Sequence, residues 1–403
     1  MNKFNEVLKK SIEDTIYYEP EKSIESIMKT VFETILNLER SEYLTEQNNS
    51  ENKANGYYPR LLKSINQYFK LSIPRDRLSL FKPVFLDVLN QQETQRQELA
   101  FKLYVKGLTT RDIEDVFKEI FNQKMSPTTV SNITGKFQET REAWLNRPIS
   151  SEYYFIYIDA LMINVKRDTV EKEAFYIVLG LKPDLKREVL GVYNIPVESS
   201  TGWRTVLKDL KKRGLRKTLM VIADGLSSLE KVVAEELPEA KMQKCLVHKI
   251  GSLINRVRTG DKTAIKDDFH NVFRLEDPEY TTKQGIANLD KFILKWSKKY
   301  PFIKNKFTKE HYLNYFAYLK FPYPIHRMIY TTNWIERLNK SIRRTVTMRN
   351  SFPSPDSALN LICAYMMDFE EKTYKHPVTS FLKVKDTLDC MLFDLVCPQT
   401  HSS

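Results

Sequence analysis

A mixed α/β fold flanked by helical regions is the class this sequence predicts, and three observations carry it. Residues 153–165, Tyr-Tyr-Phe-Ile-Tyr-Ile-Asp-Ala-Leu-Met-Ile-Asn-Val, make a β-branched and aromatic run that reads as a largely buried strand. Further strand-like runs follow at 174–181, 189–195 and 218–223, with a helical stretch between the last two. On either side of this block apolar residues recur at three- and four-residue steps, the spacing of one helix face. At 403 residues the chain exceeds one ordinary core, so two or three domains are expected.

Composition narrows the function. With 42% hydrophobic and 28% charged residues the chain reads as globular and soluble. No apolar run approaches the ~18 residues of a membrane helix, and the first residues lack an apolar signal core, so a cytoplasmic location is expected. Cys245, Cys363, Cys390 and Cys397 are too few and too scattered for a disulfide scaffold. The net charge of +12 points toward nucleic acid. Residues 1–50 hold ten Asp/Glu against six Lys/Arg, so the basic surface lies downstream. Glycine is scarce, and neither G-x-G-x-x-G nor G-x-x-x-x-G-K-[ST] occurs, which argues against a nucleotide cofactor.

In chain order, residues 3–47 read as two helices, the first carrying Phe4, Val7, Leu8 and Ile12, the second Ile24, Ile27, Met28, Val31, Ile35 and Leu36. A polar stretch at 46–55 reads as a linker within an N-terminal helical region, 1–70. A helix at 91–106 stops at Gly107. Thr109 or Thr110 then caps a helix to Phe121, with Ile113, Val116, Phe117 and Ile120 on one face. Ser126 caps the next, with Pro127 at its first position. Two short helices so joined read as a helix-turn-helix in a DNA-binding region, 71–150. The second presents Thr128, Thr129, Ser131, Asn132 and Lys136, side chains suited to phosphates and base edges. A plain helical hairpin fits the same pattern.

The three strands from 155 to 195, joined by short turns, predict an antiparallel meander. A helix from Ser199 or Ser200 to Lys212 turns Trp203, Val206, Leu207 and Leu210 inward. Residues 218–223 form a buried strand ending at Asp224-Gly225, the end where open α/β sheets place ligand sites. A helix at 226–236 and a short strand at 241–246 complete the order β-β-β-α-β-α-β. Residues 248–325 read as an all-helical insertion, and the helix at 331–345 carries Ile335, Leu338 and Ile342 as its apolar stripe. Glu336, Lys340, Arg343 and Thr347 fall on an adjacent face. The core is thus assigned to 151–247 and 326–370, with a weakly defined tail at 371–403.

Within this scheme Asp159 is out of place, because an unpaired charge in a buried strand is costly. A buried pair with Lys or Arg, or a bound metal, would compensate it. Asp224-Gly225 alone also fits a strand-ending turn, and Glu336 alone fits a solvated partner of Lys340.

Taken together, Asp159, Asp224 and Glu336 give the chain a resemblance to the Mutator-like superfamily of bacterial insertion-sequence transposases, which are DDE enzymes. The resemblance runs from Asn55 to Phe369. It is carried by Ile73-Pro-Arg-Asp-Arg77, Gly107-Leu-Thr-Thr-Arg-Asp-Ile113, Ser126-Pro-Thr-Thr-Val-Ser131, Trp144, Arg147-Pro148, Asp159-Ala-Leu161, Glu198, Trp203, Arg213-Gly214, Asp224-Gly225, Gln243-Lys-Cys-Leu-Val-His248 and Thr331-Thr-Asn-Trp-Ile-Glu-Arg-Leu-Asn339. It implies a ribonuclease-H-like core whose first and fourth strands are neighbours, bringing Asp159 and Asp224 together with Glu336. Such a triad holds two Mg²⁺ or Mn²⁺ ions for in-line attack on a phosphodiester. The implied activity is cleavage and strand transfer at the terminal inverted repeats of the element itself. Double-stranded DNA is the implied partner, with a dimer or larger assembly on paired ends. Arg337, Lys340, Arg343 and Arg344 would hold the DNA backbone. A catalytically inactive relative that only binds DNA is the alternative, and a nuclease of the same fold a second one.

Cys245 and His248 form half of a possible zinc site. No second C-x-x-C or H-x-x-x-H supplies the four ligands of structural zinc, so the pair is read as a structural or DNA-proximal feature. Two positions depart from the family pattern. Ala223 stands where Ser is common, and Trp334 stands where a small residue is common, placing a bulky ring at the helix start or against a base.

Overall fold

The computed structural model describes residues 23–47, 51–63, 68–121, 125–195, 199–225 and 227–395, with isolated positions before residue 23. Phe4, Val7, Leu8 and Ile12 of the first expected helix, Glu198 and Cys397 lie outside the described residues. The chain divides into two compact units, 1–136 and 137–403.

The first unit opens with helix α1 (Ser23–Gln47) and an antiparallel hairpin of β1 (Ala54–Lys63) and β2 (Tyr68–Asp76). The hairpin corrects the purely helical reading of this region. Leu71 and Ile73 of β2 join Leu36, Leu86 and Leu89 in a small core, whereas Tyr57 and Leu61 of β1 stay exposed. With so little of β1 buried, its residues needed no apolar alternation, and so gave no strand signal. Asp76 of the Ile-Pro-Arg-Asp motif is buried, accepting hydrogen bonds from Asn52 Nδ2 (2.9 Å) and from the Leu80 and Phe81 amides (3.1 Å each). Helix α2 (Val84–Val105) begins a turn or more earlier than expected and ends at Gly107, whose φ of 106° suits a residue without Cβ. In α3 (Thr110–Phe121) Thr109 Oγ1 accepts from the Asp112 amide while Asp112 Oδ2 accepts from the Thr109 amide. Ser126 Oγ accepts from the Thr129 amide at the start of α4 (Pro127–Leu145), as its sequence predicts.

The second unit is built on a five-stranded mixed sheet. Its strands are β3 (Glu152–Lys166), β4 (Val170–Leu181), β5 (Arg187–Asn194), β6 (Lys217–Ala223) and β7 (Lys241–Lys244), in the order β5-β4-β3-β6-β7. The first three form the expected antiparallel meander. After α5 (Ser200–Lys212) β6 joins β3 in parallel, and after α6 (Ser227–Glu236) β7 joins β6 in parallel. Strand β3 is central, and every residue from Tyr153 to Ile158 is fully buried. Trp203, Val206, Leu207 and Leu210 of α5 pack into the core with Leu229, Val232 and Val233 of α6. Register fixes the key pair of positions: Ile158 faces Ala223 across the parallel pair, so Asp159 and Asp224 each lie one residue further along neighbouring chains.

Residues 246–329 are helical, comprising α7 (Leu246–Ile254), α8 (Lys262–Val272), α9 (Thr282–Ser297), α10 (Phe302–Lys306), several 3₁₀ turns and α11 (His326–Ile329). Helices α12 (Asn333–Thr347) and α13 (Pro355–Phe369) follow. The tail reading needs correction. A 3₁₀ turn at Thr379–Val384 and α14 (Lys385–Asp394) bury Phe381, Leu388 and Leu392, and the Phe381 ring packs on Phe155 at 5.9 Å between centroids. The buried residues Phe381, Val384, Leu388 and Leu392 recur at three- and four-residue steps, so the sequence did carry a helical spacing here.

Trp144, Arg147 and Arg213 tie the helical entry to the sheet. Arg147 Nη2 donates to the Val189 carbonyl (2.8 Å), and Arg213 donates to the carbonyls of Arg147 (2.9 Å) and Leu190 (2.6 Å). Gly214 adopts φ +132°, and a Cβ there would lie 2.7 Å from the Ile149 carbonyl oxygen. Gly214→Ala is therefore expected to destabilise the unit by ~1–3 kcal/mol, read as a lower urea midpoint. An unchanged midpoint would reject the close approach.

Candidate functional site

Four segments converge beyond the end of β6. Strand β3 supplies Asp159, the turn after β6 supplies Asp224, the start of α7 supplies Cys245 and His248, and the first turn of α12 supplies Glu336. The Cys245 amide donates to the Ala223 carbonyl (2.8 Å), which ties α7 to the end of β6. His248 Nδ1 lies 3.8 Å from Asp224 Oδ1 and 3.7 Å from Glu336 Oε1, so one imidazole touches both carboxylates. Thr332 Oγ1 donates to Glu336 Oε1 at 2.7 Å and lies 3.3 Å from Cys245 Sγ.

Asp159 joins this group through helix α12. Its side chain is only 8% exposed, and Asn339 Nδ2 donates to its Oδ2 at 2.7 Å. Asn339 lies three residues beyond Glu336, so one helix face carries both. The Asn339 Oδ1 atom is buried without a hydrogen-bond partner. Among the described ion pairs none joins Asp159 to a Lys or Arg, and the cation whose charge acts on it is His248. Among the described ion pairs Glu336 meets His248 and not Lys340.

The electrostatics follow from this crowding. Burial pushes the Asp159 carboxyl above the usual carboxylate range, against the pull of His248 and the Asn339 hydrogen bond. The hydrogen bond with Cys245 raises His248, and the charges of Asp224 and Glu336 add to it; against desolvation they bring it to about 9. Burial pushes the Cys245 thiol up, but hydrogen bonds from His248 and Thr332 outweigh it and leave the pKa lowered. His248 therefore stabilises the folded chain fully below its ordinary value of 6.5, and that contribution is lost as pH rises through about 9. In the metal-free protein an NMR titration of the His248 ring is expected to show a midpoint well above 6.5, falling in Cys245→Ser. A midpoint at 6.5 or below would contradict the arrangement.

The family model described as "Transposase, Mutator family" matches residues 2–376. The chain belongs to that family. Among its relatives is the transposase for insertion sequence element IS905 of Lactococcus lactis, 32% identical across 86% of this chain and 87% of the relative. The transposase for IS1201 of Lactobacillus helveticus is 28% identical across 89% and 95%, and that for IS256 in transposon Tn4001 of Staphylococcus aureus is 26% identical across 86% and 90%.

In this Mutator-family transposase, Arg337, Lys340, Arg343 and Arg344 are all exposed on α12. Thr128, Ser131, Asn132 and Lys136 are exposed on α4, while Thr129 is half-buried with its hydroxyl 3.0 Å from that of Ser126. Trp334 neither crowds the helix nor stands free for a base. Its ring packs on Tyr157 (5.3 Å) and Phe381 (5.6 Å), with the Arg187 guanidinium 5.6 Å away. Sequence reasoning did not assign roles to Asn339, Thr331 and Thr332. The signal for Asn339 was present, since it sits at i+3 from Glu336. For Thr332 it was present too, since its hydroxyl donates to Glu336 four residues on, whereas Thr331 had none, its partner Cys245 lying 86 residues away. No helix of the described residues is long and apolar enough to cross a membrane.

Proposed function

We propose that this protein cleaves and rejoins DNA at the terminal inverted repeats of its own insertion sequence, as a DDE transposase with a ribonuclease-H-like core over 151–247 and 326–370. Asp159, Asp224 and Glu336 would hold two divalent cations, Mg²⁺ or Mn²⁺. The observation that carries this reading is the buried Asp159 carboxylate, hydrogen-bonded to the Asn339 amide and, among the described residues, in no ion pair with Lys or Arg. Such a group calls for a cation, and an all-oxygen carboxylate set fits a hard one. When bound, the ions activate the attacking oxygen and stabilise the leaving one.

The chain's own residues do the rest. Asn339 holds Oδ2 of Asp159, and Thr332 orients Glu336. The protonated His248 offsets the repulsion between Asp224 and Glu336 while no cation is bound. Arg337, Lys340, Arg343 and Arg344 grip backbone phosphates near Glu336. Helices α3 and α4 act as a helix-turn-helix, with Thr128, Thr129, Ser131, Asn132 and Lys136 toward the element ends. Residues 248–325 act as a helical insertion, and paired ends require at least a dimer.

The test is a strand-transfer assay in Mg²⁺ or Mn²⁺ with duplexes that carry or lack the element ends. End-dependent cleavage and joining is expected. Equal cleavage of unrelated duplexes would indicate a general nuclease instead, and end binding without cleavage would reduce the protein to a DNA-binding relative.

A further inference from the structure

We propose that Cys245, His248 and Glu336 form a second kind of metal site, one that takes Zn²⁺ and in doing so withdraws Glu336 from the carboxylate set. Sequence spacing offered only the first two donors. Helix α12 brings the third, 88 residues beyond His248. Among the described residues, Cys245 Sγ, a His248 ring nitrogen and a Glu336 carboxylate oxygen all lie within 4.8 Å of one another. Two of the spacings are 4.0 Å (Sγ to Oε1) and 3.7 Å (Nδ1 to Oε1).

These spacings suit a tetrahedral ion after a small contraction. Zinc bonds of about 2.3 Å to sulfur and about 2.0–2.2 Å to nitrogen and oxygen place ligand atoms roughly 3.3–3.6 Å apart. The donors already stand within a few tenths of an ångström of that for the two measured pairs. The Thr332 hydroxyl caps them, 2.7 Å from Glu336 Oε1, 3.3 Å from Cys245 Sγ and 3.4 Å from His248 Nδ1, and Thr331 Oγ1 lies 3.6 Å from the sulfur. Such hydroxyls hold ligands in place before a metal arrives. The fourth position falls to a hydroxyl or water oxygen, as in zinc sites with three protein ligands.

Donor chemistry decides the selectivity. A thiolate and an imidazole favour Zn²⁺, Co²⁺ and Cd²⁺, whereas Mg²⁺ demands oxygen and gains nothing from sulfur. Uptake releases the thiol proton and any proton on His248 Nδ1 to solvent, with no change of oxidation state. Because Glu336 belongs to both donor sets, zinc acts as an inhibitor rather than a substitute. Binding at the site stands independently of the functional reading; inhibition rests on it.

The experiment titrates Co²⁺, then Zn²⁺, into the full-length protein. With the carboxylate set held by a large excess of Mg²⁺, one thiolate-bound Co²⁺ per chain is expected, with a thiolate-to-cobalt charge-transfer absorption that Zn²⁺ abolishes and Mg²⁺ does not. Cys245→Ser and Glu336→Gln should each weaken Co²⁺ binding by about a hundredfold or more. Absence of the charge-transfer band in the wild-type protein overturns the site without recourse to any variant, as does wild-type affinity in Glu336→Gln. In the cleavage assay, Zn²⁺ far below the Mg²⁺ concentration should inhibit the wild type, and Cys245→Ser should need much more Zn²⁺ for the same loss relative to its own zinc-free rate. Inhibition that ignores Cys245→Ser would overturn the link to Glu336. A charge-transfer band in a protein that cleaves nothing would sustain the site while sinking the transposase mechanism.

Discussion

Strand cleavage by Asp159→Asn is expected to fall at least about a thousandfold, while the variant stays folded and still binds element ends. Losing one carboxylate from a cation pair removes several kcal/mol of transition-state stabilisation, and each 1.36 kcal/mol is tenfold in rate, so about 4 kcal/mol gives this factor. The fold should tolerate the change. Asn has the shape of Asp, and Asn339 Oδ1, buried without a partner, is available to accept from the new amide. Removing a buried charge whose pKa is raised relieves a desolvation cost, so metal-free stability near neutral pH should hold or rise. The decisive measurement pairs single-turnover cleavage in Mg²⁺ with a urea midpoint on the same sample. Activity within tenfold of wild type would end the role assigned to Asp159, and a collapsed midpoint would mean that the carboxylate serves the fold. Asp224→Asn and Glu336→Gln should match it in activity.

The opposite directions of those two effects explain why Asp159 was readable from sequence. A carboxylate inside a run of Tyr, Ile and Val contradicts its surroundings, and local contradiction of this kind marks function. Strand β6 with its terminal Asp224 and the capped starts of α3, α4 and α5 were legible for a related reason: alternation, apolar runs and caps are set by neighbours in sequence. Partnerships across the chain were not. That Cys245 and His248 meet Glu336, or that Asn339 reaches Asp159, depends on how α12 lies against the sheet, which no spacing within α12 encodes. The hairpin at 54–76 escaped because β1 buries little, and Trp334 was misjudged because its partner Phe381 sits in the segment dismissed as a tail.

Phe381→Ala is expected to cost about 3–5 kcal/mol of stability, the range for emptying a buried aromatic site. Phe381 is fully buried, its ring 5.9 Å from that of Phe155 on the central strand and 5.6 Å from that of Trp334 at the start of α12. Trp334 in turn stands two residues before Glu336, so the vacated space loosens the turn that presents the carboxylate. The signature should therefore differ from that of Asp159→Asn. Cleavage by Phe381→Ala should be lost on warming, in step with an earlier thermal transition, and recover on cooling, because no cation ligand has been removed. Phe381→Leu, which keeps much of the volume, should cost less than about 1.5 kcal/mol. If Phe381→Ala lowers stability by less than about 1 kcal/mol, the segment after residue 375 is not part of the core. A large loss would instead make the 3₁₀ turn at Thr379–Val384, which carries Phe381, necessary to the placement of Glu336.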